Sequence, residues 1–174
     1  LKAMKNLRPR QAVPELIVKT TNGMDWNLRD NQPENFTMLI FYRGIHCPVC
    51  KSYLEELNTM VGDFKDKGVN IICVSSNTKE LAEKTVEEWD VDNLTIGHSF
   101  DVEDGRKWDL YVSEGIKDSE PAEFVEPALF LIRPDSTLYS ASIQSMPFAR
   151  PQFVDLIKSI SFVNKEDYPA RGEA

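Results

Sequence analysis

The chain has 174 residues, 41% of them hydrophobic, with three cysteines and a net charge of -8. That is a single domain's length with enough apolar side chain for a core, and the longest apolar runs, residues 37–42 and 128–132, are too short to span a membrane. The acidic balance argues against nucleic acid or an anionic membrane as partner, and an odd cysteine count does not build a disulfide framework.

Residues 1–14 are polar, contain Pro9 and Pro14, and read as an N-terminal arm. Residues 1–11 are basic but lack the apolar stretch of a secretory signal, so a cytoplasmic location is expected; the start at Leu1 leaves room for a removed leader. Residues 15–20 predict a short strand, Asn22-Gly23 a turn, and residues 24–28 its hairpin partner. Residues 36–42 form a continuous apolar, β-branched and aromatic run that suits a central strand buried on both faces. A helix follows over 48–67. Val49, Tyr53, Leu57, Met60 and Phe64 recur at helical spacing, with Leu54 and Val61 widening the stripe. Pro48 suits the first helical position and Gly68 the close.

Residues 69–76 predict a second buried strand, carrying Cys73. Asn77-Thr78-Lys79-Glu80 reads as a capping box before a helix with Leu81, Thr85, Val86 and Trp89 inside. Residues 94–100 are strand-like and 103–111 a short helix. A polar, acid-rich loop over 118–126 leads to two strands, 127–133 and 137–143, around the turn Arg133-Pro134-Asp135-Ser136. A closing helix over 151–163 places Phe153, Leu156, Ile157 and Ile160 inside, and the tail 164–174 is polar. The order predicts one α/β domain over 1–174: a mixed central sheet flanked by helices on both faces, with an N-terminal hairpin extension.

The chemistry concentrates in residues 41–50, Phe-Tyr-Arg-Gly-Ile-His-Cys-Pro-Val-Cys, where the central strand turns into the first helix. Cys-x-x-Cys opening a helix is an arrangement for dithiol–disulfide chemistry. Helix positions i and i+3 bring Cβ atoms to roughly 5–6 Å, close enough for a disulfide. The helix N-terminus offers unpaired N–H groups and a positive dipole end, both favouring a thiolate. A zinc site would need two more Cys or His ligands, and Cys73, His46 and His98 supply no second pair. No metal or other cofactor is therefore expected beyond a redox-active disulfide.

Cys47, at the helix cap and nearer solvent, is expected to be the attacking sulfur, with Cys50 resolving the mixed disulfide. If the substrate is a peroxide, the roles invert and Cys50 becomes the sulfenic acid. His46 is a candidate proton shuttle, or a solvent-facing residue without a role. Arg43 is a candidate partner for a thiolate or for an acidic group of the substrate, or one half of a surface ion pair. Cys73, among Ile71, Ile72 and Val74, reads as a buried small hydrophobe. His98 reads as structural or surface, and Trp26, Trp89 and Trp108 as core or surface aromatics.

With these residues in view, the chain resembles the thioredoxin-fold superfamily and, within it, the alkyl hydroperoxide reductase/thiol-specific antioxidant (peroxiredoxin-like) family. The likeness runs from about Val13 to Val163. Val13-Pro14-Glu15-Leu16 is similar to the family's opening "APDF". Residues 94–101 with Gly105 to Val112 are similar to its "PLLSD…G…YGV", and Ala128-Leu129-Phe130-Leu131-Ile132 to its "LFIID". The family's Pro-x-x-x-Thr-x-x-Cys motif sets Cys50 on the peroxidatic cysteine, Cys47 where Thr is expected and Arg43 where Pro is expected. Pro127 stands where many members have an Arg. A Pro before that strand resembles the cis-Pro that faces the Cys pair in thioredoxins and glutaredoxins, and Cys-Pro-Val-Cys is similar to the glutaredoxin Cys-Pro-x-Cys. The resemblance implies a thioredoxin-like fold, catalytic Cys47 and Cys50, and a site shaped by Pro127; the residues themselves add Arg43, His46 and Pro48 as candidates that shape it.

Three functions follow. The loss of the Pro, Thr and Arg signature favours thiol–disulfide exchange on a protein or small-molecule disulfide. The family frame supports a thiol peroxidase acting on hydroperoxides, with Arg43, Arg133 or His46 as substitute donors and an antioxidant role. A non-enzymatic redox sensor or metal-binding module is the third. Either enzyme needs an electron-donor thiol system. The sequence sets no oligomeric state; a homodimer is one option.

Overall fold

The computed structural model describes residues 6–174, so the first five residues of the expected arm lie outside the described residues. Among the described residues nine strands and five α-helices follow in chain order. β1 (Ile17–Thr20) and β2 (Asp25–Asn27) form the N-terminal hairpin, turning at Gly23. β3 (Phe36–Phe41) is buried at every position. It pairs in parallel with β4 (Val69–Val74) and antiparallel with β8 (Ala128–Ile132). β5 (Ile96–His98) extends the parallel side, and β9 (Leu138–Ile143) the antiparallel side. The order β2-β1-β5-β4-β3-β8-β9 is a seven-stranded mixed sheet.

Side-chain alternation on β3 divides the core. Phe36, Met38 and Ile40 share one face with buried residues of α1 (Pro48–Asn58), α2 (Val61–Lys65), α3 (Lys79–Glu88) and α5 (Phe153–Glu166). Leu39 and Phe41 share the other with Ile72, Val74, Phe130 and Trp108, the last directly after α4 (Val102–Lys107). The two-faced burial explains why β3 has no alternating polar positions. The result is the expected thioredoxin-like architecture.

Three expectations are corrected. The helix expected over 48–67 is two helices, because polar contacts end α1. The Asn58 amide donates to Asp92 Oδ1 at 3.1 Å and accepts from the Asn93 N–H at 2.7 Å, while the Thr59 hydroxyl donates back to the Glu56 carbonyl. The cap of α3 is Thr78, not Asn77: its hydroxyl accepts from the Leu81 N–H, and the inner face is Ala82, Thr85 and Trp89, with Val86 exposed. The acid-rich loop expected over 118–126 ends in a strand, β7 (Glu123–Val125), paired with β6 (Val112–Glu114) in a separate two-stranded ribbon.

Candidate functional site

The parallel β3–β4 pair ends where α1 begins, so residues 43–47 bridge the sheet to the helix N-terminus. Cys47 is the cap of α1: its backbone is extended and its Sγ accepts the Cys50 N–H at 3.2 Å. Pro48 takes the first helical position, where it lacks only an N–H that would have no helical acceptor. The two sulfurs are free thiols 2.6 Å apart, a short step from the roughly 2.05 Å of a disulfide. Both are buried, with 3% of Cys47 and none of Cys50 exposed.

Their acidities run opposite to expectation. Burial opposes ionisation of Cys50, yet the Cys47 thiol, the Arg150 charge and the Arg43 backbone donor together bring it down to about 7. Cys47 is held far above the ordinary thiol value, first because its proton is engaged by Cys50, then by burial. Proximity to the helix cap alone had favoured Cys47; the surrounding donors converge on Cys50 instead.

Arg150 is the residue the sequence reading missed. Its Nη1 donates to Cys50 Sγ at 3.5 Å and to the Pro147 carbonyl at 3.3 Å. Its guanidinium stacks over the Tyr53 ring at 4.1 Å, and the Tyr53 hydroxyl donates to the Pro151 carbonyl. Nη2 is buried with no hydrogen-bond partner among the described residues. One signal was available: Arg150 is the only charge in the otherwise uncharged run 143–153.

Arg43 does not pair with a thiolate. Its guanidinium grips the Glu126 carboxylate with two bonds of 2.7 Å, and the Ser113 hydroxyl donates to the same carboxylate at 2.7 Å. Arg43 thereby ties the 43–47 loop to the β6–β7 ribbon. Asn77 holds the same loop from the β4 side, its Oδ1 accepting the Ile45 N–H at 2.8 Å. Asn77, expected in a helix cap, and Glu126, expected at the end of a polar loop, are instead buried polar residues of the site.

His46 points under the ribbon, edge-on to Phe124 at 4.7 Å and 4.0 Å from Glu120. Pro127 is buried and precedes β8, but its peptide bond is trans rather than the expected cis. Arg133 lies at the far end of β8, over the Phe36 and Tyr139 rings at 4.6 Å, and does not serve the thiols. Cys73 is fully buried, and burial pushes its thiol up to about 12. His98 is buried, its Nδ1 2.8 Å from the Ser99 hydroxyl. A cleft of about 430 Å³ opens on Cys47, between Pro48, Val49, Pro147 and Phe148 on one side and Ser113, Ile116 and Glu120 of the ribbon on the other. Among the described residues no three His, Cys, Asp or Glu side chains converge as a metal site.

A dithiol at a helix start, on this sheet order, defines a thiol-dependent oxidoreductase of thioredoxin-like fold. The family model described as AhpC/TSA family matches residues 9–141, and the chain belongs to that family. No curated protein sequence matches at a significant level. Among solved structures, the chain is similar to a cysteine mutant of peroxiredoxin 6 from Arenicola marina, with TM-score 0.75 and 20% identity over 92% of this chain and 75% of that one. A peroxiredoxin-like protein from Aquifex aeolicus gives 0.72 and 16% over 90% and 88%. The mitochondrial 2-Cys peroxiredoxin from Plasmodium falciparum gives 0.69 and 17% over 92% and 98%. At these identities the likeness is one of fold.

Proposed function

We propose that the protein is a peroxiredoxin-like thiol peroxidase in which Cys50 reduces a hydroperoxide and Cys47 resolves the product. The observation that carries this is Arg150 beside the Cys50 sulfur, with one guanidinium nitrogen on the thiolate and the other free. Peroxide cleavage needs donors where negative charge develops, and a buried, unsatisfied cationic donor next to the attacking atom meets that need.

The steps balance as follows. The Cys50 thiolate attacks the terminal oxygen of the hydroperoxide; an S–O bond forms, the O–O bond breaks, and the alkoxide or hydroxide leaves and takes a proton from solvent. Cys47 then attacks the Cys50 sulfenic acid, forming the disulfide and releasing water. Two electrons from an external dithiol reopen it by exchange. Cys47, which lines the cleft, is the sulfur such a dithiol can reach. Full burial of Cys50 also favours this reading, because a small hydroperoxide is a substrate of a size that can reach it.

The test compares rate constants of the reduced protein with hydrogen peroxide, an organic hydroperoxide and a model disulfide. Peroxide should react faster than the disulfide. Cys50→Ser should abolish the reaction, while Cys47→Ser should still form one sulfenic acid per chain. Loss of peroxide reactivity in Cys47→Ser but not in Cys50→Ser would return the nucleophile to Cys47, and a disulfide rate above the peroxide rate would return the function to disulfide exchange.

A further inference from the structure

His46 directly precedes Cys47, and the two side chains line the same cleft. The His46 side chain is only 4% exposed, yet neither ring nitrogen has a hydrogen-bond partner among the described residues. Buried imidazoles are ordinarily fixed by at least one partner. This one is held by its Phe124 contact instead and keeps both nitrogens free.

The charges around it come from two elements. Glu120, Lys117 and Glu126 approach from the ribbon and its loop, and Arg43 from the loop that carries His46 itself. The Glu120 oxygen, 4.0 Å from Nε2, is beyond hydrogen-bond distance but close enough to favour an imidazolium once one forms. Burial first, then Arg43 and Lys117, lower the ring's basicity, partly offset by Glu120 and Glu126. The lowered basicity favours the neutral ring, which leaves one nitrogen lone pair without a hydrogen-bond partner among the described residues.

The resolving step has a proton to move. At rest Cys47 donates its proton towards the Cys50 sulfur. Once Cys50 carries an oxygen, Cys47 must lose that proton to attack, and the departing oxygen must gain one. We infer that His46 is the general base of resolution: its imidazole takes the proton from the Cys47 thiol and delivers it to the hydroxide leaving Cys50. The S–S bond forms as the S–O bond breaks, water leaves, and His46 returns to its neutral form. Glu120 is a positioning residue that stabilises the transient imidazolium.

This inference rests on the peroxidase reading, and two-phase stopped-flow kinetics separate them. The first phase, sulfenic acid formation, tests the reading. The second, disulfide formation, tests His46. His46→Gln should slow the second phase by about 100-fold, the usual range for losing a general base, and far more than it slows the first. The sulfenic acid should then accumulate, be captured by dimedone, and overoxidise at lower peroxide. The acid limb of the second phase's pH profile should vanish, and added imidazole should restore the rate in His46→Ala. A second phase unchanged in either variant, or two phases that fall together, overturns the proposal. A parallel arm oxidises the same proteins with a small aromatic disulfide, where Cys47 closes a mixed disulfide at Cys50 and loses the same proton. If wild type ignores peroxide but His46→Gln still slows closure, the peroxidase reading fails and the role of His46 stands; equal closure rates would remove it.

Discussion

The Arg150 guanidinium lies 3.5 Å from the Cys50 sulfur although the two residues are 100 positions apart. The sheet and α5 bring them together. Arg150 sits just before α5, whose Phe153 packs against Tyr53 of α1 with ring centroids 4.3 Å apart. The stacking of Arg150 on Tyr53 then fixes the direction of the charge. Arg150→Met keeps the packing volume and removes the charge. It should raise the Cys50 thiol towards or above the free value and slow the peroxide reaction at pH 7 by about 100-fold, the scale for losing one preorganised donor. Arg150→Lys should recover only part of this, because an ammonium cannot serve the sulfur and an incoming oxygen with a planar fork. Equal rates in wild type and Arg150→Met would remove Arg150 from the chemistry.

The pH dependence follows from the lowered Cys50 thiol, at about 7. Cys50 is the thiolate above that value and the thiol below it. The peroxide rate should therefore be flat at higher pH and fall about tenfold per unit below the transition, tracking thiolate absorbance at 240 nm. The Cys47 hydrogen bond is the largest stabilisation of that thiolate. Cys47→Ser keeps a donor and should leave the transition near its place; Cys47→Ala removes it and should move the transition up. A transition that ignores the residue at 47 contradicts the assignment.

What was legible in the sequence was local or periodic. The all-apolar run of β3, the stripe of α5 and the Cys-x-x-Cys junction each follow from neighbours along the chain. What was not legible depends on partners far away. The break after Asn58 is made by Asp92 and Asn93. The lowered Cys50 thiol owes part of its shift to Arg150 and to the Arg43 backbone, neither visible in the spacing of Cys47 and Cys50. Arg43 looked free to meet a substrate because Glu126, its actual partner, is 83 residues on. The β6–β7 ribbon escaped notice because its strands are three residues long and each carries a glutamate, Glu114 or Glu123.

The Arg43–Glu126 pair should cost stability when broken from one side only. Glu126 is 1% exposed, and Arg43 is its cation. Arg43→Met leaves that carboxylate buried with only the Ser113 hydroxyl, a loss of about 3–5 kcal/mol. The midpoint of thermal unfolding should drop by roughly 10 °C for a chain of this size. Adding Glu126→Gln to Arg43→Met removes the stranded charge and should regain much of the loss. If the double variant is no more stable than the single one in urea, Glu126 is not held as a charge-paired group.

Gly44 should be intolerant of any side chain, and through Asn77 in particular. Its φ of 132° lies in a region that L-residues rarely enter. An added Cβ would stand 2.5 Å from Asn77 Nδ2 and 2.6 Å from Oδ1. Asn77 cannot give way freely, because it is 1% exposed and its Oδ1 holds the Ile45 N–H. Gly44→Ala therefore combines backbone strain with overpacking, about 2–4 kcal/mol in total. Peroxide reactivity should fall as well, since any shift of the loop withdraws the Arg43 backbone donor from Cys50. Asn77→Ala alone frees the space but leaves the Ile45 N–H unpaired. In Gly44→Ala with Asn77→Ala, the steric part disappears while the strain stays. The double variant should be more stable than the sum of the singles predicts, by about 1 kcal/mol or more. Urea unfolding of the four proteins measures that coupling, and strict additivity would mean that Asn77 does not confine the loop.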